Sequence, residues 1–189
     1  MLLERIICGR PRSNAYVFAR EGGDALIVDA GPGAGRRVVD IVEAEGVRPR
    51  ALLLTHGHPD HIWTARRLCE RYGIDAYLHP DDARWFFLRR KPKTLRALSD
   101  RTSLELGSMR VSVMHTPGHS RGSVCFVADD VAFAGDTIFR GAVGDAMYVG
   151  GDRRALARSV RSLLALDDEL TVMPGHGSST TVGAERAVW

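Results

Sequence analysis

Thr55-His56-Gly57-His58-Pro59-Asp60-His61 is the stretch on which the reading of this chain turns. It follows the apolar run Ala51-Leu52-Leu53-Leu54, which reads as a buried strand ending in a turn. After it, Ile62, Ala65, Cys69 and Tyr72 recur on one face of a helix predicted from Ile62 to Tyr72. Three imidazoles and a carboxylate therefore lie on a tight loop between two rigid elements, where side chains are placed accurately. Imidazole nitrogen with carboxylate oxygen suits zinc or iron, and lacks the thiolate of a typical structural zinc site. His56 and His58 are spaced to converge on one ion. Asp60 and His61, where the helix begins, point elsewhere, toward a second. Further ligands must then come from downstream.

The whole chain of 189 residues reads as one domain, residues 1–189, with enough length to bury a good core. Its net charge of +3 is mildly basic, and the basic residues are arginines except for Lys91 and Lys93. Such a balance fits a small anionic substrate. Nucleic-acid binding needs a basic stripe with stacking aromatics, and only residues 84–101 approach that. There Trp85, Phe86, Phe87 and Leu88 suit a substrate mouth or a subunit contact, and Arg89-Arg90-Lys91-Pro92-Lys93 reads as a solvated face. Cys8, Cys69 and Cys125 are odd in number and unpaired in spacing, as reduced core thiols are. Met1 to Cys8 is too short, and too interrupted by Glu4-Arg5, for a signal peptide. No apolar run reaches the roughly 18 residues of a membrane span. The expectation is a soluble, cytoplasmic protein.

Taken in order, Asn14–Ala19 and Ala25–Val28 read as a hairpin turned by residues 20–24. Asp29 follows at a strand end. It is placed either to accept a hydrogen bond from the ligand loop or to cap the helix Arg36–Glu45 that Gly46 stops. Asp75–Leu78 is a short strand, and His79-Pro80-Asp81-Asp82 opens another helix, with His79 structural. Met109–Met114 alternates as a strand and ends in His115-Thr116-Pro117-Gly118-His119, either histidine of which is placed to bind a metal. Val124–Ala128 and Val131–Ala134 form a hairpin ending in Gly135-Asp136. A glycine-rich loop, 141–151, reads as lying near the site. Asp152 caps a helix running to Leu166, and Leu170–Met173 is a last strand ending in Pro174-Gly175-His176-Gly177. A short helix closes the chain. Strand after strand thus ends in a turn that offers an imidazole or a carboxylate.

Thr-His-Gly-His-Pro-Asp-His at 55–61, Thr-Pro-Gly-His at 116–119, Gly-Asp at 135–136 and Pro-Gly-His-Gly at 174–177 resemble the metallo-β-lactamase-fold superfamily. Within it the chain is similar to short glyoxalase II-like hydrolases without the helical C-terminal domain. The resemblance implies an α/β fold, an αββα four-layer sandwich, with a two-metal site at one edge. By position, His56, His58 and His119 hold the first ion, Asp60, His61 and His176 the second, and Asp136 bridges them. His115 matches no ligand position and is read as structural. The implied cofactors are two divalent ions, zinc in the first place, with iron or manganese also suited to these ligands. The implied reaction is hydrolysis of a small-molecule acyl thioester by a metal-bridging hydroxide, with Asp60 as the catalytic carboxylate that orients it.

One loop departs from the pattern. A basic residue often follows the glycine matching Gly144 in glutathione-thioester hydrolases, and here it is Asp145. Gly144-Asp145-Ala146-Met147 also differs from the Gly-Arg-x-Asp of many short relatives. Asp145 and Met147 are the expected substrate contacts, and a carboxylate there disfavours glutathione as the thiol. Rival readings are a persulfide dioxygenase with one iron on His56, His119 and Asp136, and a hydrolase of another ester, lactone or phosphoester.

Overall fold

The computed structural model describes residues 1–20, 23–88 and 90–189. Six strands form the first sheet in chain order: β1 (Leu2–Cys8), β2 (Ser13–Ala19), β3 (Asp24–Val28), β4 (Arg48–Leu53), β5 (Asp75–Leu78) and β6 (Leu95–Ala97). β1 to β3 run antiparallel, and β3 to β6 run parallel. The second sheet collects β7 (Ser103–Leu106), β8 (Met109–His115), β9 (Val124–Ala128) and β10 (Val131–Gly135). A small hairpin, β11 (Ile138–Phe139) and β12 (Ala142–Val143), stands apart from both sheets. β13 (Thr171–Pro174) and β14 (Thr180–Thr181) complete the second sheet, in the order β14-β13-β10-β9-β8-β7. Within it only β10 and β13 are parallel.

Strand residues alternate between two faces, so a strand buried on both sides reads as a continuous apolar run. On β2, Ala15 and Val17 meet the first helical layer while Tyr16 and Phe18 meet the opposite sheet. β10 does the same, with Val131 and Phe133 toward the first sheet and Ala132 and Ala134 toward a helix. Three apolar layers result. Helices α1 (Ala34–Glu45) and α3 (Ala65–Tyr72) cover the first sheet through Val38, Val42, Leu68 and Cys69. The sheets pack on each other around Phe18, Phe126 and Phe133. Helix α4 (Arg153–Leu163) covers the second sheet through Leu156, Val160 and Leu163. This is the αββα sandwich expected from the sequence.

Both predicted hairpins, the helix stopped at Gly46 and the cap on α4 form. The Asp152 carboxylate accepts from the Arg154 and Ala155 amides at 2.8 and 3.0 Å. Glu21 and Gly22 of the predicted turn lie outside the described residues, as does Arg89 of the basic run. A short helix, α5 (Val182–Arg186), closes the chain.

Two expectations need correction. The helix predicted over Ile62–Tyr72 is two: α2 (Pro59–Ile62) and α3, broken at Trp63-Thr64. Tertiary bonds break it. The Thr64 amide and hydroxyl both donate to Ala30 O, at 2.7 and 3.0 Å, and His61 O accepts from Ala30 N at 2.6 Å. Leu68 joins Ile62, Ala65 and Cys69 in the core, and the half-buried Tyr72 packs against it. The helix opening at His79-Pro80 is a 3-10 helix, Pro80–Leu88, begun by the Asp82 amide donating to His79 O at 3.0 Å.

Phe133 is fully buried, its ring 5.5 Å from that of Tyr16 and 5.8 Å from that of Phe18. Phe133→Ala is expected to cost about 3–5 kcal/mol of stability in denaturant unfolding. A loss below about 1 kcal/mol would show that the two sheets do not depend on this contact.

Candidate metal centre

The parallel strand pairs set the site. β3 and β4 end side by side, so Asp29 follows one and the 55–61 loop follows the other, with the Asp29 amide donating to Leu53 O at 2.9 Å. β10 and β13 likewise bring Asp136 beside Gly175-His176, with the Gly175 amide donating to Gly135 O at 2.7 Å. Bonds across the edge join the two sheets. Val124 N donates to Thr55 O at 2.8 Å, Asn14 N to Gly175 O at 2.6 Å, and the Asn14 side-chain amide to Pro174 O at 2.9 Å. Gly175 has to be glycine, because a Cβ there would collide with Asp136 Oδ1.

All seven side chains predicted as ligands meet here. Among the described residues they form three overlapping triplets whose ligand atoms lie within 4.8 Å of one another: His56-His58-His119, His56-His61-Asp136 and Asp60-His61-His176. His58 Nδ1 and His119 Nε2 are 2.9 Å apart. His176 Nε2 lies 3.4 Å from both His61 Nε2 and Asp60 Oδ2. Asp136 stands between the groups: Oδ1 is 3.6 Å from His61 Nε2, and Oδ2 is 3.4 Å from His119 Nε2 and 3.5 Å from His176 Nε2. His79 and His115 stay outside, stacked on each other at 4.2 Å, with His115 Nε2 donating to Arg121 O at 2.9 Å. Their structural reading fits this placement.

The outer atoms of three rings are tied down. His119 Nδ1 donates to Asp145 O at 2.7 Å; a carbonyl only accepts, so in the neutral ring Nε2 keeps a lone pair facing inward. His61 Nδ1 donates to Asp29 Oδ2 at 2.8 Å. Asp29 also accepts from the Thr55 amide and hydroxyl, each at 2.8 Å. It caps no helix, since Gly33 occupies that place on α1 without a side-chain bond. Of its two sequence readings, support of the ligand loop is the one observed. His56 Nδ1 lies 3.1 Å from Thr55 Oγ1.

Inward, His56 Nε2 and Asp136 Oδ1 are buried and have no hydrogen-bond partner among the described residues. Buried polar atoms are normally paired. Imidazole nitrogens and carboxylate oxygens left unpaired and facing one another suit a divalent metal ion. His56 and His61 are fully buried, while the Asp60 and His176 side chains are 21% and 25% exposed, so the cluster opens to solvent past those two.

Aromatic rings border the rest. Trp85 and Tyr148 lie 4.9 and 5.4 Å from the His58 ring, and Phe139 lies 6.0 Å from that of His176. Trp85 comes from the aromatic run at 85–88. Tyr148 and Phe139 were not foreseen; the only sequence signal was their place in or near the glycine-rich loop. Asp145 and Met147 are exposed on that loop, where the Asp145 carboxylate accepts from the Met147 amide at 2.8 Å.

Electrostatics divide the cluster. Burial, then the neighbouring imidazoles, hold His56 well below the usual histidine range, and burial with His119 brings His58 down to about 4. Burial opposes charge on His61 too, but Asp29 and Asp136 overcome it and raise His61 to about 9. Against the same penalty, Asp136 and Asp60 raise His176 to about 10. Burial works against ionised Asp60, yet His176 and His61 hold it at about 2.

The family described as the metallo-beta-lactamase superfamily matches residues 8–176. The chain is 44% identical to "Uncharacterized protein ML0493" of Mycobacterium leprae (strain TN), covering 98% of this chain and 96% of that one. It is 34% identical to "Hydroxyacylglutathione hydrolase GloC" of Haemophilus influenzae, covering 93% and 90%. A solved structure described as TTHA1623 in a di-iron-bound form superposes with a TM-score of 0.87 at 32% identity, covering 98% of each chain.

A proton held on His61 or His176 competes with a cation; one absent from His56 and His58 does not. Cation affinity at Asp60-His61-His176 is therefore expected to rise with pH between about 7 and 10, with release of up to about two protons. His56 and His58 are already proton-free there and add no such dependence. Calorimetry in buffers of different ionisation enthalpy reads the proton count. Binding at that cluster without proton release at pH 7 would contradict the assignment.

Proposed function

This chain belongs to the metallo-β-lactamase superfamily, and from that premise we propose that it is a metal-dependent hydrolase of acyl thioesters using two metal ions. One observation carries the reading: two triplets of ligand atoms lie side by side, with Asp136 within 3.6 Å of members of both. His56, His58 and His119 would hold one ion, and Asp60, His61 and His176 the other, with Asp136 shared. Zinc suits this donor set, and iron or manganese would be accepted as well. A single iron on His56, His119 and Asp136 leaves Asp60 and His176 clustered without a purpose, which disfavours the dioxygenase alternative.

Such ions, when bound, supply a water acidic enough to ionise near neutral pH and positive charge for a carbonyl oxygen. The chain does the rest. Asp60, held ionised and partly exposed, would accept a hydrogen bond from a water at the site and orient it. Asp29 and Asp145 O fix the rings of His61 and His119 from behind. Trp85 and Tyr148 shield the His58 side, leaving the approach past Asp60 and His176 for the substrate. The relative named hydroxyacylglutathione hydrolase supports a thioester as the bond cleaved. The buried, unpaired thiols of Cys8, Cys69 and Cys125 support a reducing, cytoplasmic setting.

Thiol preference follows from Asp145 and Met147, the proposed substrate contacts. A carboxylate on the loop that supports His119 repels the carboxylates of glutathione. With one acyl group and varied thiols, Asp145→Lys is expected to raise kcat/KM for the glutathione ester by about tenfold or more. The ester of a neutral short thiol should change by less than about twofold. If the glutathione ester is already best by about a hundredfold and Asp145→Lys lowers its rate, this reading of the loop fails.

A further inference from the structure

Asp82 belongs to none of the four ligand motifs. It lies in the first turn of the 3-10 helix Pro80–Leu88 and is fully buried. Among the described residues it makes no ion pair with lysine or arginine. Its Oδ2 accepts from the Gly57 amide at 2.8 Å and the Ser120 hydroxyl at 2.6 Å, and its Oδ1 from the Gly122 amide at 2.9 Å. Ser120 is itself held by Ser123, their hydroxyls 2.7 Å apart. A buried carboxylate without a counter-ion is costly unless its oxygens are well bonded, and bonds to an ionised acceptor are the strong ones. Both backbone donors are glycines, and the space requires it. A Cβ on Gly57 would stand 2.6 Å from Asp82 O, and one on Gly122 would stand 2.7 Å from Asp82 Cγ.

The three donors belong to two turns distant in sequence. Gly57 lies between His56 and His58; Ser120 follows His119. One carboxylate therefore clamps the turns that carry all three members of one triplet. The other triplet has its own buried carboxylate, Asp29, bonded to Thr55 and to the His61 ring. The two differ in kind. Asp29 touches a ligand ring; Asp82 touches only the backbone and hydroxyl beside the ligands, and so fixes where the rings sit.

We propose that Asp82 is a positioning residue for the His56-His58-His119 triplet, setting the distance between the two turns that bear it. This rests on the reading of that triplet as a metal site. In Asp82→Asn, an amide nitrogen replaces one acceptor and faces N–H or O–H donors. The expected result is a loss of about ten- to a hundredfold in zinc affinity at His56-His58-His119, against less than about threefold at Asp60-His61-His176. Asp29→Asn should give the reverse order. Turnover should fall in kcat, with KM within about twofold.

Chelator competition on purified protein reads the two affinities. A merely structural role would lower both together. Ser120→Ala removes one donor with little risk to folding, and should weaken the same triplet by about three- to tenfold. Should Asp82→Asn fail to fold, that variant decides the matter. The metal-free protein gives a separate reading. Amide hydrogen exchange at Gly57 and Gly122, slow in the parent, should be at least about tenfold faster in the Asp82 and Ser120 variants, with Phe126 unchanged. Unchanged exchange at Gly57 and Gly122, or equal losses at both triplets, would overturn the proposal. If the parent protein takes up one ion only, the two-ion reading falls while the exchange result still decides the role of Asp82.

Discussion

His56, His58, His61, His119 and Asp136 are packed almost out of reach of water where two sheets meet. Burying that many polar atoms is unfavourable unless each finds a partner. The outer edges of the rings find theirs in Thr55, Asp29 and Asp145 O. The inner edges face one another. In the metal-free protein His61 and His176 hold protons above their ordinary range, beside Asp29, Asp60 and Asp136. Divalent cations in the same place would relieve the same imbalance, and the rest of the architecture delivers the groups that would bind them.

That delivery depends on one parallel strand pair in each sheet. β3 with β4, and β10 with β13, put strand C-termini next to each other, so residues far apart in the chain become neighbours at one edge. Bonds from Asn14 and Val124 then fix one sheet against the other at that edge. The aromatic layer around Phe133 holds the sheets together behind it. Stability and the placement of the ligands thus share the same backbone.

The clustering of the seven side chains was legible because they sit in short motifs at the ends of apolar strands, and local pattern carries that much. What a residue does across the chain was less so. Asp29 read equally well as a helix cap, and only its bond to His61, 32 residues on, separates the two. The break at Trp63-Thr64 came from bonds to Ala30, which no helical periodicity records. Asp82 looked like an ordinary first-turn acid, since its partners lie 25 to 40 residues away. Tyr148 gave no sign in sequence of reaching His58. β1 went unread because Glu4 and Arg5 interrupt its apolar pattern, while pairing with β2 over seven residues makes it a strand.

The central claim is that two ions occupy adjoining triplets joined by Asp136. Elemental analysis of protein saturated with zinc and freed of excess metal tests it most directly, run on the parent chain beside His61→Ala. Two ions per chain in the parent and one in the variant are the predicted result. One ion in the parent, with the count unchanged in His61→Ala, would contradict the account.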